Sequence, residues 1–212
     1  PPSEFPIQDL PPDHAIFRTL FPLAQIPQVP SIILCRGRGG EYHPSVNGLY
    51  ARGRRVQEHV LTHGDTLIIP GAHEWPQLTR NKSEQFEARL SLVEVIDSTS
   101  IFFTGMAGSR IPIAVAHGEG YVDFSQRGNA KNVKRAMRFV DNHGQPTEAY
   151  PANPNGSADG LTAVATADGR FTALMPHPER VFRNVLMSWT SGDVNQASPW
   201  MRMFSNARRW VG

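Results

Sequence analysis

The sequence predicts a mixed α/β domain, and three observations lead to this prediction. From residue 66 onward, short runs of apolar or alternating residues follow one another at strand-like lengths. Two of these runs end in turns that carry a histidine and a glutamate, and open α/β sheets bind their ligands at such strand ends. An amphipathic segment with helical spacing follows near residue 200. We therefore expect a sheet with polar groups along one edge and a helix packed against it.

Composition restricts the class of protein. The 212 residues, 40% of them hydrophobic, suffice for one sizeable domain with a core. The 21 Lys and Arg residues are scattered and the net charge is +2, so the charge pattern indicates no nucleic-acid partner. No apolar stretch approaches the roughly 18 residues of a membrane span. A single cysteine, Cys35, excludes an internal disulfide and is typical of a reducing compartment, so we expect a cytoplasmic protein.

The composition and the hydrophobic periodicity of the chain change near residue 65. Residues 1–65 are rich in Pro and in Arg-Gly steps and show little periodicity apart from the apolar run at 31–34. Regular elements appear in close succession over 66–212. We interpret the two parts as an atypical segment followed by a folded region.

The hydrophobic pattern of residues 66–212 predicts a series of strands and a first helix. Apolar and alternating patterns indicate a short strand at 67–69, a half-buried strand with a bulge over 86–96, a buried strand over 111–116, a helix over 129–137, and paired strands at 161–164 and 171–175. Turn residues indicate two hairpins, one at Asp141-Asn142-His143-Gly144 and one at Ala167-Asp168-Gly169. The second hairpin leads directly into the more informative of the two polar turns.

The last predicted helix has clear start signals. Ser198 is a suitable N-cap, and Pro199 suits the first helical position. Helical spacing then places a set of apolar side chains on one face: Trp200, Met203, Phe204, Ala207, Trp210 and Val211. Such a face most often packs on the protein's own core, and we prefer that interpretation to a partner-binding helix.

The turn after residues 171–175 holds the strongest catalytic candidates. His177 and Glu179 stand two residues apart, a spacing that can form the base and its orienting carboxylate in a cysteine-dependent hydrolase. The competing interpretation is a structural histidine whose hydrogen bonds are satisfied. The turn His117-Gly118-Glu119-Gly120 could converge with it on one pocket, or could be a tight turn that needs glycine for positive φ.

Two other patterns carry less weight. His59 and His63 follow Glu58 at helical spacing, but zinc proteases need the glutamate directly after the first histidine, where Val60 stands, so we expect no metal site. The Arg/Gly-rich run at 36–40 lacks the ending of a phosphate-binding loop, and we interpret it as a flexible loop.

Several stretches, modest one by one, are specific in their number and order. They are Ile69-Pro70-Gly71, Trp75-Pro76, the run 80–89, Gly105-Met106-Ala107-Gly108-Ser109, the run 112–120, Tyr150-Pro151-Ala152-Asn153-Pro154-Asn155-Gly156-Ser157, the run 175–183, and Pro199-Trp200-Met201-Arg202. Together they resemble the C-terminal glutaminase domain of the phosphoribosylformylglycinamidine synthases, over about residues 66–212. These are class I, triad-type glutamine amidotransferases.

The resemblance implies a flavodoxin-like α/β domain, with a mostly parallel sheet and helices on both faces, incomplete here in its N-terminal half. It also implies that His177 is the general base and acid and that Glu179 orients it, while a cysteine thiolate attacks glutamine. The ammonia would pass to a synthetase domain, the implied partner, which uses ATP and magnesium to convert formylglycinamide ribonucleotide into its amidine. For this chain itself we expect no cofactor and no metal.

The nucleophile is where the sequence departs from the family. The family's cysteine would fall near Val56, and a looser match would place it at Val46. Cys35 follows an apolar strand, but Ile33 stands where the turn needs glycine and the spacing to His177 is too long. We interpret residues 1–65 as departing from the family's normal sequence. A working enzyme, a glutaminase without its nucleophile, a catalytically dead interaction module and a glutaminase of another synthetase therefore stay open.

Overall fold

A curled six-stranded sheet organises the part of the chain that the structure, a computed structural model, describes. That part comprises the backbone of strands at 31–34, 50–51, 54–55 and 67–68, together with residues 71–210. In chain order the strands are β1 (Ser31–Leu34), β2 (Tyr50–Ala51), β3 (Arg54–Arg55), β4 (Leu67–Ile68), β5 (Gln77–Thr79), β6 (Glu87–Val95), β7 (Arg110–His117), β8 (Tyr121–Asp123), β9 (Lys134–Phe139), β10 (Leu161–Ala165) and β11 (Phe171–Leu174). One α-helix, α1 (Met201–Trp210), is described.

The large sheet has the strand order β1-β11-β10-β9-β6-β7, beside small sheets ordered β3-β2-β4 and β5-β8. In the large sheet only β1 and β11 are parallel within the described residues, and the other four neighbouring pairs are antiparallel. The mostly parallel sheet implied by the resemblance, with helices on both faces, is therefore not what these residues form. Short connections such as the turn at 167–169 join antiparallel strands, whereas parallel neighbours need a long crossover.

The curl of the sheet brings its two ends together. Beyond β11, the backbone N–H of His177 donates to the carbonyl of Ala114 on β7 at 2.7 Å, and the two residues form an antiparallel bridge. β11 lies next to one edge of the strand order and β7 forms the other edge. The segment that follows β11 therefore reaches the opposite edge of the sheet, where the bridge to β7 fixes the backbone of His177.

Strand β6 is regular, so the predicted bulge is wrong. Its pairing with β7 runs without a shift of register from Glu87 to residue 94. Val93 and Val95 enter the core, and strict alternation then turns Glu87 and Ser91 to the same buried face, while Phe86, just before the strand, is 67% exposed. Pairing and the two valines fix the register, so polar side chains are buried at the start of the strand.

The helix predicted over 129–137 is also wrong, because this segment leads into strand β9. Its register against β10 shifts near Ala136, as at a β-bulge. The bulge lets Ala136 and Met137, adjacent in sequence, both be fully buried. The buried residues therefore have the spacing of a helix, although two of them lie in a bulged strand and one directly precedes it: Ala136 and Met137 in β9, and Val133 before it.

Both predicted hairpin turns are confirmed. β10 and β11 pair antiparallel across the turn at 167–169. At the other turn, Asp141 accepts hydrogen bonds from the backbone N–H groups of His143 and Gln145, each at 2.8 Å. These bonds, the one from Gln145 above all, lower the pKa of Asp141.

The predicted C-terminal helix is confirmed over Met201–Trp210, and it packs on the core, although Trp210 of the predicted apolar face is 49% exposed and Val211 lies outside the described residues. Ser198 acts as a cap, since its Oγ accepts from the N–H of Trp200 at 3.2 Å, and α1 begins at Met201. Trp200 and Met203 are fully buried, and the indole N–H of Trp200 donates to the carbonyl of Pro112 on β7 at 2.7 Å. The helix therefore braces the strand that also holds His177. No described helix combines the length and the apolarity that crossing a membrane requires.

Candidate active site

The His177–Glu179 pair forms where the chain leaves β11. Proline on both sides of His177 restricts its backbone, which is held at φ −111° and ψ 85° before the 3₁₀ turn Pro178–Arg180. The turn folds Glu179 back so that its Oε1 lies 2.7 Å from His177 Nδ1. The two side chains are only 12% and 22% exposed. The histidine is thus engaged by a carboxylate, as the spacing predicts.

This geometry suits proton transfer. A carboxylate at Nδ1 selects the tautomer with a proton on that nitrogen and turns Nε2 outward as the basic atom. It also stabilises the imidazolium that forms when Nε2 takes a proton. Arg180 lies 3.9 Å from the same carboxylate and is about half exposed, so it adds a weak, solvent-screened attraction.

The second polar turn lies at the end of β7, three residues beyond the bridge between Ala114 and His177. His117 is 6% exposed. Burial, and next the charge of nearby His177, lower the pKa of His117 to about 4. The structure therefore brings the two polar turns together, and His117 is neutral at physiological pH.

Gly120 is needed in this turn for space. A Cβ on Gly120 would lie 2.2 Å from Cε1 of the His117 ring, whereas a Cβ on Gly118 would meet no described atom within 4 Å. Neither glycine has the positive φ that the tight-turn interpretation predicts. The His117 ring therefore lies directly against the backbone of Gly120.

Buried carboxamides hold this turn in place. Asn81 donates from Nδ2 to the carbonyl of His117 at 2.8 Å, and its Oδ1 accepts from the N–H of Gly120 at 2.9 Å. Its backbone N–H donates to the carbonyl of Gly118 at 2.8 Å, and Asn155 Nδ2 donates to the carbonyl of Gly120 at 2.7 Å. Sequence reasoning gave these asparagines no role of their own. Their signal was their position in motifs without catalytic side chains, Arg-Asn-Lys-Ser and Asn-Pro-Asn-Gly-Ser.

Sequence reasoning also missed an ionic cluster on the neighbouring strand. Glu87, 2% exposed, is the register partner of His117 and accepts a hydrogen bond from Arg89. Arg89 also donates to the hydroxyl of Tyr150 at 2.6 Å and lies 4.8 Å from the centre of its ring. The bond to Tyr150 is the main reason that the pKa of Arg89 is raised. Strict alternation counted back from Val93 and Val95 was the signal that could have revealed the burial of Glu87.

Comparison with known proteins decides the family. Residues 59–211 match the family model described as the CobB/CobQ-like glutamine amidotransferase domain. The chain belongs to this family. A solved structure, that of PurLQS from Thermotoga maritima, is 22% identical in sequence with a TM-score of 0.46, over 65% of this chain and 53% of that one. The chain thus spans about half the length of that protein.

The family match confirms the predicted resemblance to glutamine amidotransferases and their class I α/β fold. Several of the sequence predictions concern residues that lie outside the described part of the chain. These predictions concern Cys35, the alternative nucleophile positions Val46 and Val56, the run 36–40, the histidine pair at 59 and 63, and the boundary near residue 65. Among the described side chains, no group of three or more His, Cys, Asp or Glu residues could hold a metal ion.

The backbone next to Cys35 is described. β1 ends at Leu34, whose partner in the parallel pairing with β11 is Leu174. Cys35 follows Leu34 directly, and His177 follows Leu174 by three residues. The segments that follow β1 and β11 therefore leave adjacent parallel strands at the same end of the sheet.

Proposed function

We propose that this amidotransferase domain is the glutaminase part of a phosphoribosylformylglycinamidine synthase, an enzyme of purine biosynthesis. It would hydrolyse glutamine and supply ammonia for the ATP-dependent amidation of formylglycinamide ribonucleotide. The observation that carries the proposal is the 2.7 Å contact between His177 Nδ1 and Glu179 Oε1 in a chain of the glutamine amidotransferase family. The order of the family motifs along residues 66–212 supports the choice of synthetase.

In the proposed reaction, His177 moves protons between the nucleophile and the leaving group. Nε2 takes the thiol proton as the thiolate attacks the side-chain carbonyl carbon of glutamine, and backbone N–H groups stabilise the oxyanion. The imidazolium, held by Glu179, then gives that proton to the departing nitrogen, which leaves as ammonia. Water attacks the thioester while Nε2 takes its proton, and glutamate leaves as the proton returns to sulfur.

Cys35 is the nucleophile that this proposal puts to the test, since it is the sole cysteine of the sequence. The parallel pairing of Leu34 with Leu174 supports it, because both chains continue from the same end of adjacent strands. Ile33 in place of a turn glycine and the long spacing to His177 count against it.

The alternative is a catalytically dead interaction module that keeps the amidotransferase fold. The observation in its favour is that the family's expected cysteine positions hold Val56 or Val46. The proposed partner of the glutaminase is the synthetase domain of the same enzyme, whereas the module would bind a partner through its C-terminal helix and open sheet edges. ATP and magnesium would bind to that synthetase domain, as the resemblance implies.

Glutamine hydrolysis by the purified chain tests the proposal, with Cys35→Ala and His177→Ala in parallel and His143→Ala as the matched control. His143 is exposed in the turn at 141–144, so its loss should leave turnover unchanged. Loss of a general base should reduce turnover by roughly 10²–10⁴-fold. Turnover that vanishes in both Cys35→Ala and His177→Ala supports the enzyme with Cys35 as nucleophile. Turnover no higher than that of His177→Ala supports a glutaminase remnant without its nucleophile, or the dead module, over a working enzyme.

A thiol-labelling experiment separates the same alternatives without turnover. In an active glutaminase, a glutamine-like electrophile should label Cys35 faster than it labels free cysteine, and His177→Ala should abolish the difference. Labelling at the rate of free cysteine would contradict the enzyme and agree with the module.

A further inference from the structure

Ser198 is a buried residue that the proposed mechanism does not use, and it does more than cap α1. It is 3% exposed, and its Oγ accepts from the N–H of Trp200 at 3.2 Å. The same hydroxyl donates to the carbonyl of Val181 at 2.5 Å, and the backbone N–H of Ser198 donates to the carbonyl of Phe182 at 2.8 Å. Ser198 therefore joins the start of the helix to the end of the turn at 177–181.

The turn at 177–181 has weak internal support. The backbone hydrogen bonds within it run from residue 180 to residue 177 and from residue 181 to residue 178, and each is 3.2 Å long. Hydrogen bonds of this 3₁₀ type have poorer geometry than those of an α-helix. The bridge to Ala114 fixes the first residue of the turn, His177, so the last residue needs a support of its own. The hydroxyl of Ser198 provides that support.

The supports at the two ends of the turn lead to the same strand. The N–H of His177 donates to the carbonyl of Ala114 on β7 at 2.7 Å. The indole N–H of Trp200 donates to the carbonyl of Pro112, two residues earlier on β7, also at 2.7 Å. Because the N–H of Trp200 also bonds Ser198, a closed ring of contacts runs from the strand through the turn and the start of α1 back to the strand. Such a ring holds the turn against β7 at both ends.

We propose that Ser198 is a positioning residue for the His177–Glu179 pair. It acts through its bond to the carbonyl of Val181, which would otherwise be a buried acceptor without a partner among the described residues. A shift of that carbonyl moves Glu179, two residues earlier, while the bridge to Ala114 holds His177 in place. A misplacement of about 1 Å in a catalytic site can cost roughly 10²-fold in rate. The catalytic consequence rests on the proposed glutaminase function.

Three variants separate the two roles of the hydroxyl. Ser198→Ala removes both the donor to Val181 and the acceptor that caps the helix. Ser198→Asp keeps a capping acceptor but, as a carboxylate, has no donor, while Ser198→Thr keeps both. The matched control is Asn206→Ala on the same helix. Buried Asn206 donates to the carbonyls of Phe102 and Thr104 at 2.9 and 2.8 Å, outside the ring, so its loss weakens the packing of the helix without breaking the ring.

The proton on His177 Nδ1 reports the geometry of the pair without turnover. It is followed by NMR of the whole chain with ¹⁵N-labelled histidine, at a temperature at which circular dichroism shows each variant folded, and His177→Ala identifies its signal. Exchange of this proton with water should be roughly tenfold faster in Ser198→Ala and Ser198→Asp than in the parent chain. It should be unchanged in Ser198→Thr and Asn206→Ala. Equal exchange in Ser198→Ala and Asn206→Ala, or in Ser198→Asp and the parent, would overturn the inference, as would a parent chain without this signal.

Glutamine hydrolysis tests the catalytic consequence separately. Ser198→Ala should lower kcat by roughly 10- to 100-fold and change KM by less than about threefold, because it displaces the proton-transfer pair and removes no group that contacts glutamine. Asn206→Ala should keep the kcat of the parent, and an unchanged kcat in Ser198→Ala would overturn the inference. A parent chain with the NMR signal but no turnover would refute the proposed function, while the exchange rates would still decide whether Ser198 positions the pair.

Discussion

The turn between β10 and β11 precedes the strand that leads to His177. Of the described glycines, Gly169 in this turn is the one whose added Cβ would approach another atom most closely. Gly169 has φ +73°, and a Cβ built on it would lie 1.9 Å from the carbonyl oxygen of Thr99. Its own carbonyl accepts from the N–H of Ile101 at 3.1 Å. Gly169→Ala therefore combines an unfavourable backbone conformation with a collision against another backbone segment.

The magnitude follows from these two terms. Positive φ costs alanine about 1–2 kcal/mol, of which roughly 0.4–1 kcal/mol is offset by the lower entropy of the unfolded chain. Relieving the collision requires the Thr99 backbone to move by roughly 1.5 Å to reach van der Waals distance, which costs about 1–3 kcal/mol as overpacking and strains the bond to Ile101. We expect Gly169→Ala to reduce the free energy of unfolding by about 2–4 kcal/mol.

Gly108 provides the control for the backbone term. It has φ +79°, but a Cβ there would meet no described atom within 4 Å, so Gly108→Ala should cost only about 1 kcal/mol. Urea unfolding followed by circular dichroism measures both variants against the parent chain. Equal losses for Gly108→Ala and Gly169→Ala would refute the reasoning, because the collision with Thr99 would then contribute nothing.

Three further predictions concern packing, charge and pH. Trp200→Phe should lower the free energy of unfolding by about 2–3 kcal/mol, since it leaves the carbonyl of Pro112 without its donor and opens a cavity, while Trp189→Phe, at a 77% exposed site, should stay within about 0.5 kcal/mol. Glu94→Gln, which loses the charge shared by two arginines, should cost about 1 kcal/mol at low salt and less at 1 M salt in the same urea assay. The pKa of His117 falls from 6.5 in the unfolded chain to about 4 in the folded chain. As the pH falls, the unfolded chain therefore takes up the proton at a higher pH than the folded chain does. The free energy of unfolding should drop by about 2–3 kcal/mol between pH 7 and pH 4.5. His117→Gln should lose less over that range, and an equal loss in parent and variant would show that His117 does not cause it.

The sequence predicts local features of this protein better than the arrangement of its sheet. The hairpin turn with Gly169 and the capped helix after Ser198 are confirmed, because turn and cap chemistry is local. The pairing of His177 with Glu179 follows from two residues of spacing and a single 3₁₀ turn.

What sequence reasoning missed depends on contacts between distant segments. Bulging of β9 against β10 gave Met137 and its neighbours a helix-like pattern, and pairing with β7 buried Glu87. The clamp on the 117–120 turn joins Asn81 and Asn155, which are far apart in the chain, and no periodicity marks such a contact. Tertiary pairing overrode local pattern in each case.

The two halves of the proposed site depend on different parts of the chain. The base and its orienting carboxylate are fixed by the bridge from His177 to Ala114 and by the helix that Trp200 ties to the same strand. These contacts lie wholly within residues 71–210, so they do not require a nucleophile in order to form. In the proposed reaction the thiol would come from Cys35, whose neighbour Leu34 pairs with β11. A chain that binds glutamine at His177 without hydrolysing it is therefore physically consistent, and binding and turnover must be measured separately.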